Sequence, residues 1–144
     1  MRRIRFRGPD GETREGELTD DGTVRADPTR DGRVSGEGGT FDVENVDVLA
    51  PCEPSKIVCV GLNYADHAAE RGSEVPDRPL LFLKPPNTVT SHGAEVELLP
   101  DKERIEYEAE LGVVIGQRCR NVDAADADEV VAGYTCVNDI SNRD

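Results

Sequence analysis

Three acidic residues fall at every second position in one segment of the chain. Glu106, Glu108 and Glu110 alternate with apolar residues between Ile105 and Ile115. Successive side chains of a β-strand point to opposite faces, so the three carboxylates of such a strand share one face. Neighbouring carboxylates can bind a hard cation such as Mg²⁺, which prefers oxygen ligands. A solvated acidic face is the alternative, and this segment alone favours it over a metal site.

His67 and Glu70 form a second candidate pair. The segment from Asn63 to Arg71 contains helix-forming residues and is followed by Gly72, which suits a helix C-terminus. Residues three apart on a helix share a face, so the Glu70 carboxylate can hydrogen-bond the imidazole and orient it. Such a pair can act as a general base that activates water. An ordinary surface histidine is the alternative.

Asp139 is the third candidate, because it directly follows an apolar strand predicted over Gly133–Val137. From a loop at the end of that strand, its carboxylate can complete a metal site. The dipeptide Asn-Asp is also common in strand-end turns, which is the structural alternative. Gly112 and Gly116 lie on the same face as the three glutamates and are expected to leave space there.

The composition is strongly acidic, with 30 Asp and Glu against 17 Lys and Arg and a formal charge of −13. Phosphate binding relies on Lys and Arg, so this balance argues against nucleic acid or an anionic membrane as a partner. No stretch approaches the roughly 20 apolar residues of a membrane span, and the N-terminus lacks the apolar run of a signal peptide. We therefore expect a cytoplasmic protein. Dispersed acidic residues with few lysines also predict a halophilic source.

The pattern of turns and apolar segments predicts an α+β fold in which β-structure dominates. Residues 1–50 are predicted to be a small β-rich domain of hairpins, residues 51–55 a stiff Pro-containing linker, and residues 56–144 a second domain. The turn signals of the first domain are Gly8–Gly11, Asp20–Gly22, Asp31–Gly32 and Gly36–Gly39. The second domain is predicted to contain buried strands at Lys56–Gly61 and Leu80–Lys84, a long strand at Ile105–Ile115 and a short helix at Ala124–Val131.

Four linked segments resemble the fumarylacetoacetate hydrolase family. In chain order they are Val60–Glu70, Pro79–Pro85, Tyr107–Gly116 and Gly133–Asp144. Their order and spacing agree across residues 56–144, which makes them more specific than any single short motif. The resemblance is to the subgroup that holds acylpyruvate hydrolases, 2-hydroxyhepta-2,4-diene-1,7-dioate isomerases and related decarboxylases. Residues 1–50 match loosely the small N-terminal domain that many members carry.

The resemblance implies a mixed β-sandwich roll, incomplete in this chain, and a homodimer when the protein is complete. It implies Mg²⁺ as the cofactor, with Mn²⁺ or Ca²⁺ in some members, bound by Glu108, Glu110 and Asp139. His67 and Glu70 match the water-activating pair of the family. The implied substrates are small molecules with a 2-keto acid or 1,3-dicarbonyl unit, and the implied reactions are hydrolysis, decarboxylation and isomerisation.

Members of the family continue beyond the segment matched by Asp144, with a Lys-containing strand and a Gly-Thr-Pro loop. We therefore expect half of the roll to be missing, as in a fragment or a natural truncation, with unpaired strand edges exposed. Two other functions stay open. One is a 2-keto-3-deoxy sugar acid dehydratase of the same fold, and the other is an inactive remnant that at most binds metal.

Overall fold

A computed structural model of the chain describes residues 1–28 and 38–144. Its elements are β1 (Arg2–Arg7), β2 (Thr13–Leu18), β3 (Thr23–Ala26), β4 (Thr40–Asp42), β5 (Asp47–Val48), β6 (Ile57–Gly61), α1 (Ala65–Glu70), β7 (Leu80–Lys84), β8 (Ile105–Ile115) and β9 (Val131–Asn142), with 3₁₀ turns at Val43–Asn45, Pro86–Thr88 and Ala124–Glu129. Strands dominate over helix, as the sequence predicted. No helix in the described ranges is long and apolar enough to cross a membrane.

Contacts divide the chain into two compact units, Met1–His92 and Gly93–Asp144. The boundary predicted at residues 51–55 stays a prediction, because contacts within one chain do not test which part folds independently. The turn signal at Asp31–Gly32, and the first half of the one at Gly36–Gly39, lie outside the described residues.

An antiparallel sheet in the order β4-β3-β2-β1-β5 forms the first part of the N-terminal unit. In β1, arginines alternate with Ile4 and Phe6, and the two apolar side chains are buried. They pack in one cluster with Val24 of β3. Phe41 lies against Phe6 with its ring edge-on, at a centroid distance of 5.3 Å. The alternation of charged and apolar residues therefore places the core on one face of this sheet.

One charged residue, Arg14 of β2, is also buried beside this core. Its guanidinium lies 5.4 Å from the centre of the Phe41 ring, where a cation is attracted to the aromatic face. Its Nη1 donates a hydrogen bond to Asp10 at 2.8 Å. This contact with Arg14, helped by the backbone N–H of Glu12, lowers the pKa of Asp10 to about 2.

The remainder of the N-terminal unit contains α1 and an antiparallel pair of strands, β6 and β7. The predicted strand and helix positions are confirmed, and Gly72 follows α1 with a positive φ of 64°. The predicted burial of β6 and β7 is wrong, because Val58 and Val60 are 53% and 38% exposed and the side chains of Leu80–Leu83 are 41–70% exposed. An apolar run predicts a strand, but burial also needs a second layer over it, and the described part of the N-terminal unit supplies none for these side chains.

The C-terminal unit contains a long antiparallel ladder of β8 and β9. Its register runs from Ile105 opposite Asn142 to Ile115 opposite Val131, with an irregularity between Val114 and Ile115. The strand predicted at Ile105–Ile115 is confirmed at both ends. The helix predicted at Ala124–Val131 is instead a 3₁₀ turn at Ala124–Glu129.

Candidate active site

The ladder of β8 and β9 brings two of the predicted metal ligands directly opposite each other. Glu108 pairs with Asp139, and Glu110 lies two residues further along, opposite Val137. Residues directly opposite in an antiparallel pair share a face, with Cβ atoms about 4.5–5.5 Å apart. All three predicted ligands therefore lie on one face of one strand pair, although Asp139 comes 29 positions after Glu110 in the sequence.

Asp139 lies inside β9, and its predicted position in a loop or strand-end turn is wrong. The predicted strand ended at Val137, whereas the ladder with β8 continues to Asn142 and overrides the turn tendency of Asn-Asp. Asp139 is 7% exposed, and its Oδ1 accepts a hydrogen bond from the Ser141 hydroxyl at 3.0 Å. The carboxylate is thus held by a strand backbone and by a neighbouring side chain.

Two arginines neutralise part of this acidic face. Arg143 donates a hydrogen bond from Nε to Glu106 at 2.8 Å and another from Nη2 to Glu108. Arg104 donates from Nε and Nη2 to the other oxygen of Glu106, at 3.0 and 2.9 Å. The hydrogen bond from Arg104, with that from Arg143, lowers the pKa of Glu106, since both favour the charged carboxylate. Glu106 is therefore a charged bridge between two arginines, a role that its sequence spacing did not reveal.

The chemistry of the donor set fits a hard divalent cation. Glu108, Glu110 and Asp139 offer carboxylate oxygens from one face, which suits Mg²⁺, Mn²⁺ or Ca²⁺. Over residues 1–28 and 38–144, however, no three His, Cys, Asp or Glu side chains already meet at metal-binding positions. Arg143 takes one oxygen of Glu108, so a cation that bound there would need these side chains to rearrange.

The space predicted beside the glycines of this face is absent where the structure describes it. A Cβ on Gly112 would lie 2.6 Å from the side chain of Val137 and 3.0 Å from that of Thr135. At Gly116, it would lie 2.9 Å from the Cβ of Ala132. Side chains of β9 therefore occupy the space beside these two glycines. The glycines permit close packing of the two strands and do not leave a vacant site.

His67 lies on α1, and its main contact differs from the expected one. Nε2 of His67 accepts a hydrogen bond from Nε of Arg71 at 2.8 Å. In the described chain, the hydrogen bond expected between the imidazole and the Glu70 carboxylate is not formed, and Glu70 is exposed. Residues four apart are close neighbours on a helix, so Arg71 reaches the ring one turn away. Arg71 therefore occupies a ring nitrogen that a general base would use.

Comparison with known proteins identifies the family. The model of the fumarylacetoacetate (FAA) hydrolase C-terminal domain matches residues 56–144, and the chain belongs to the fumarylacetoacetate hydrolase family. The oxaloacetate tautomerase YisK of Bacillus subtilis is 45% identical over 109 residues, which are 72% of this chain and 36% of that protein.

Two solved structures share the fold. The 5-carboxymethyl-2-hydroxymuconate delta-isomerase from Mycobacterium smegmatis matches with a TM-score of 0.81 at 36% identity, over 99% of this chain and 55% of its own. The 2-hydroxyhepta-2,4-diene-1,7-dioate isomerase from Mycobacterium marinum matches with a TM-score of 0.77 at 35% identity, over the same shares. The chain thus spans about half the length of these two relatives. The expected family, its isomerase-like subgroup and the β-dominated fold are confirmed.

Proposed function

We propose that this chain carries the metal-binding and water-activating residues of an enzyme that acts on 2-keto acids or 1,3-dicarbonyl compounds. The reaction breaks or rearranges a bond next to a carbonyl group, by hydrolysis, decarboxylation or isomerisation. The observation that carries the proposal is the cross-strand pair of Glu108 and Asp139, with Glu110 on the same face. Membership of the family and the names of the relatives support this reaction class.

Mg²⁺ is the proposed cofactor, with Mn²⁺ or Ca²⁺ as alternatives, and Glu108, Glu110 and Asp139 are its proposed ligands. When bound, the cation supplies electrostatic stabilisation of the negative charge that develops beside a carbonyl group. The chain itself supplies the alignment of the ligands. The strand backbone fixes the position of the Cα atom of each ligand residue. The Ser141 hydroxyl donates a hydrogen bond to one oxygen of Asp139.

His67 is the proposed general base that takes a proton from water, and Glu70 is proposed to orient the imidazole. The acceptor position of Nε2 supports this role, because the nitrogen becomes available to water when the contact with Arg71 opens. Glu70 lies three residues from His67 on α1, within reach of the ring after a change of rotamer. The complete protein is proposed to be a homodimer with a small-molecule substrate.

Tautomerisation of a 2-keto acid is a second candidate, favoured by the 45% identity to a protein named oxaloacetate tautomerase. Such a reaction moves a proton between carbon and oxygen and needs no hydrolytic water. Hydrolysis of an acylpyruvate needs activated water, so the two candidates place different demands on His67.

The test compares His67→Ala and Glu70→Gln with the wild type, in the full-length protein, on an acylpyruvate and on oxaloacetate. Hydrolysis predicts a loss of roughly 10²–10⁴-fold in acylpyruvate turnover for His67→Ala, the usual contribution of a general base, with a smaller loss for Glu70→Gln. Mg²⁺ affinity should stay nearly unchanged in both variants, because neither residue is a proposed ligand.

Full acylpyruvate turnover by His67→Ala would refute the role of the imidazole. If the wild type instead converts oxaloacetate, and His67→Ala loses less of that activity than Glu108→Gln, tautomerisation or decarboxylation is favoured. Turnover of a 2-keto-3-deoxy sugar acid alone would identify a dehydratase, and turnover of none of these compounds would favour an inactive remnant.

A further inference from the structure

A chain of ion pairs runs along the acidic face of β8 and β9. Arg104 pairs with Glu106, Glu106 pairs with Arg143, and Arg143 pairs with Glu108. The two arginines carry the same charge and share the partner Glu106, but they differ in one respect. Arg143 contacts a proposed metal ligand, whereas the ion pair of Arg104 is with Glu106.

The backbone explains why Arg143 reaches both glutamates. One face of β9 and its extension carries every second residue, namely Asp139, Ser141 and Arg143. Ser141 lies opposite Glu106. The N–H of Arg143 donates to the carbonyl of Arg104 at 2.8 Å, which extends the ladder past the end of β9. From this position, the long side chain lies back along the face and passes Glu106 before it reaches Glu108.

These ion pairs are partly shielded from solvent. The side chains of Glu106, Glu108 and Arg143 are 30%, 23% and 31% exposed, respectively. Attraction between charges is stronger at such positions than at fully exposed ones, because the effective dielectric constant is lower. A divalent cation at Glu108 would face the same guanidinium at short range, and two positive groups cannot share one carboxylate oxygen without repulsion.

We propose that Arg143 competes with the cation for Glu108, and that Glu106 is the positioning residue that receives Arg143 when the cation binds. The proposal rests on the metal site of the proposed function. Arg143 already holds Glu106 through Nε, so it can release Glu108 and keep a carboxylate partner. The exchange then sacrifices one partly exposed ion pair, which is worth a factor of about two to five in a binding constant.

The test measures Mg²⁺ affinity of the full-length protein by isothermal titration calorimetry, with no substrate present. Arg143→Gln should tighten Mg²⁺ binding by about three- to fivefold, because Glu108 is then unoccupied by a competitor. Arg104→Gln is the matched control, because it removes the same charge from the other partner of Glu106. It should change the affinity by less than about twofold.

Glu106→Gln should weaken Mg²⁺ binding by about two- to threefold. Of the two carboxylates that Arg143 contacts, only Glu108 is then left, so Arg143 competes with the cation more strongly. In the Arg143→Gln background, Glu106→Gln should leave the Mg²⁺ affinity almost unchanged, because the guanidinium that competes for Glu108 is already absent. Such non-additivity is the signature of residues that act through one another. A purely structural role for Glu106 would not depend on the presence of Arg143.

Weaker Mg²⁺ binding by Arg143→Gln, or equal tightening by Arg104→Gln, would overturn the competition. If Arg143→Gln does not fold, as judged by circular dichroism in EDTA, Arg143→Lys takes its place. Lysine keeps the charge but offers a single contact point, so about twofold tighter binding is expected and unchanged binding would count against the proposal. Failure of the metal site itself is distinguishable, because Glu108→Gln would then leave Mg²⁺ binding unchanged.

Discussion

The substitution Glu108→Gln separates metal binding from fold stability. In the absence of metal, Glu108 has a favourable partner in the partly exposed Arg143 and an unfavourable neighbour in the like-charged Asp139 directly across the ladder. Cross-strand charge pairs and partly exposed ion pairs each contribute about 0.2–1 kcal/mol. Glu108→Gln removes both an attraction to Arg143 and a repulsion from Asp139, and these two contributions have opposite signs. The free energy of unfolding in EDTA should therefore change by less than about 1 kcal/mol.

The same substitution should strongly reduce the stabilisation that Mg²⁺ provides. A cation at 100 times its Kd stabilises the folded state by about 2.7 kcal/mol, and a tenfold loss of affinity reduces this to about 1.4 kcal/mol. Loss of one of three carboxylate ligands should weaken binding by at least tenfold. Urea unfolding of the full-length protein, in EDTA and in Mg²⁺, measures both quantities for each variant.

Glu129→Gln is the matched control for this experiment. It removes the same charge from an exposed side chain at the end of the 3₁₀ turn, outside the ladder of β8 and β9. The Mg²⁺-dependent stabilisation should be unchanged in this variant. Equal stabilisation of the wild type and Glu108→Gln by Mg²⁺ would refute the assignment of Glu108 as a ligand. Equal losses in Glu108→Gln and Glu129→Gln would mean that the acidic surface attracts cations without a specific site.

Three further predictions concern the remaining residues. Glu110→Gln should also weaken Mg²⁺ binding by at least about tenfold in a calorimetric titration, and an unchanged affinity would remove it from the ligand set. Gly16→Ala should destabilise the protein to urea by about 1–3 kcal/mol, because a Cβ would lie 2.2 Å from the carbonyl oxygen of Arg25 and force the backbone to shift. Asp10 has a folded-state pKa of about 2, lowered from 3.8 by Arg14, so its contribution to stability is present above pH 4 and is lost as the pH falls from about 4 to about 2. Unfolding measured across this range should show a weaker pH dependence for Asp10→Asn, and an identical acid profile would contradict the role of the ion pair.

Strand positions could be predicted well from the sequence, because alternation is a local property. The period-two pattern from Ile105 to Ile115 is long and uninterrupted, and it predicted both ends of β8. The alternation of Ile4 and Phe6 with arginines in β1 is a local signal of the same kind, and both apolar side chains are buried. In both cases, the information lies in neighbouring residues and does not depend on the partner strand.

Burial could not be predicted in the same way, because it depends on what covers a strand. The apolar run of β7 predicted a buried strand, yet Leu80–Leu83 are largely exposed. In β8, the face that carries Tyr107 and Leu111 is exposed, at 81% and 62%, whereas the carboxylate face is partly covered. A pattern shows which residues share a face, but it does not show which face has a neighbour.

The contacts of the candidate site were missed for a related reason. Arg143 and Glu106 interact across the ladder, so their pairing depends on the register of two strands that are distant in the sequence. The spacing of Asp139, Ser141 and Arg143 at every second position is a signal in the sequence. It would have indicated a shared face if the strand had been predicted to continue beyond Val137. The contact of Arg71 with His67 was not predicted, although residues four apart on a helix are neighbours just as residues three apart are.

The position of Asp139 within a strand also bears on how the proposed site works. A ligand in a flexible loop must be ordered when the cation binds, and each ordered residue lowers the affinity. Asp139 is already fixed by the ladder and by Ser141, so little backbone ordering remains. The main reorganisation is then the exchange at Glu108, where the guanidinium of Arg143 must leave. The affinity for Mg²⁺ should therefore respond more to substitution of Arg143 than to changes in the loops that flank β8 and β9.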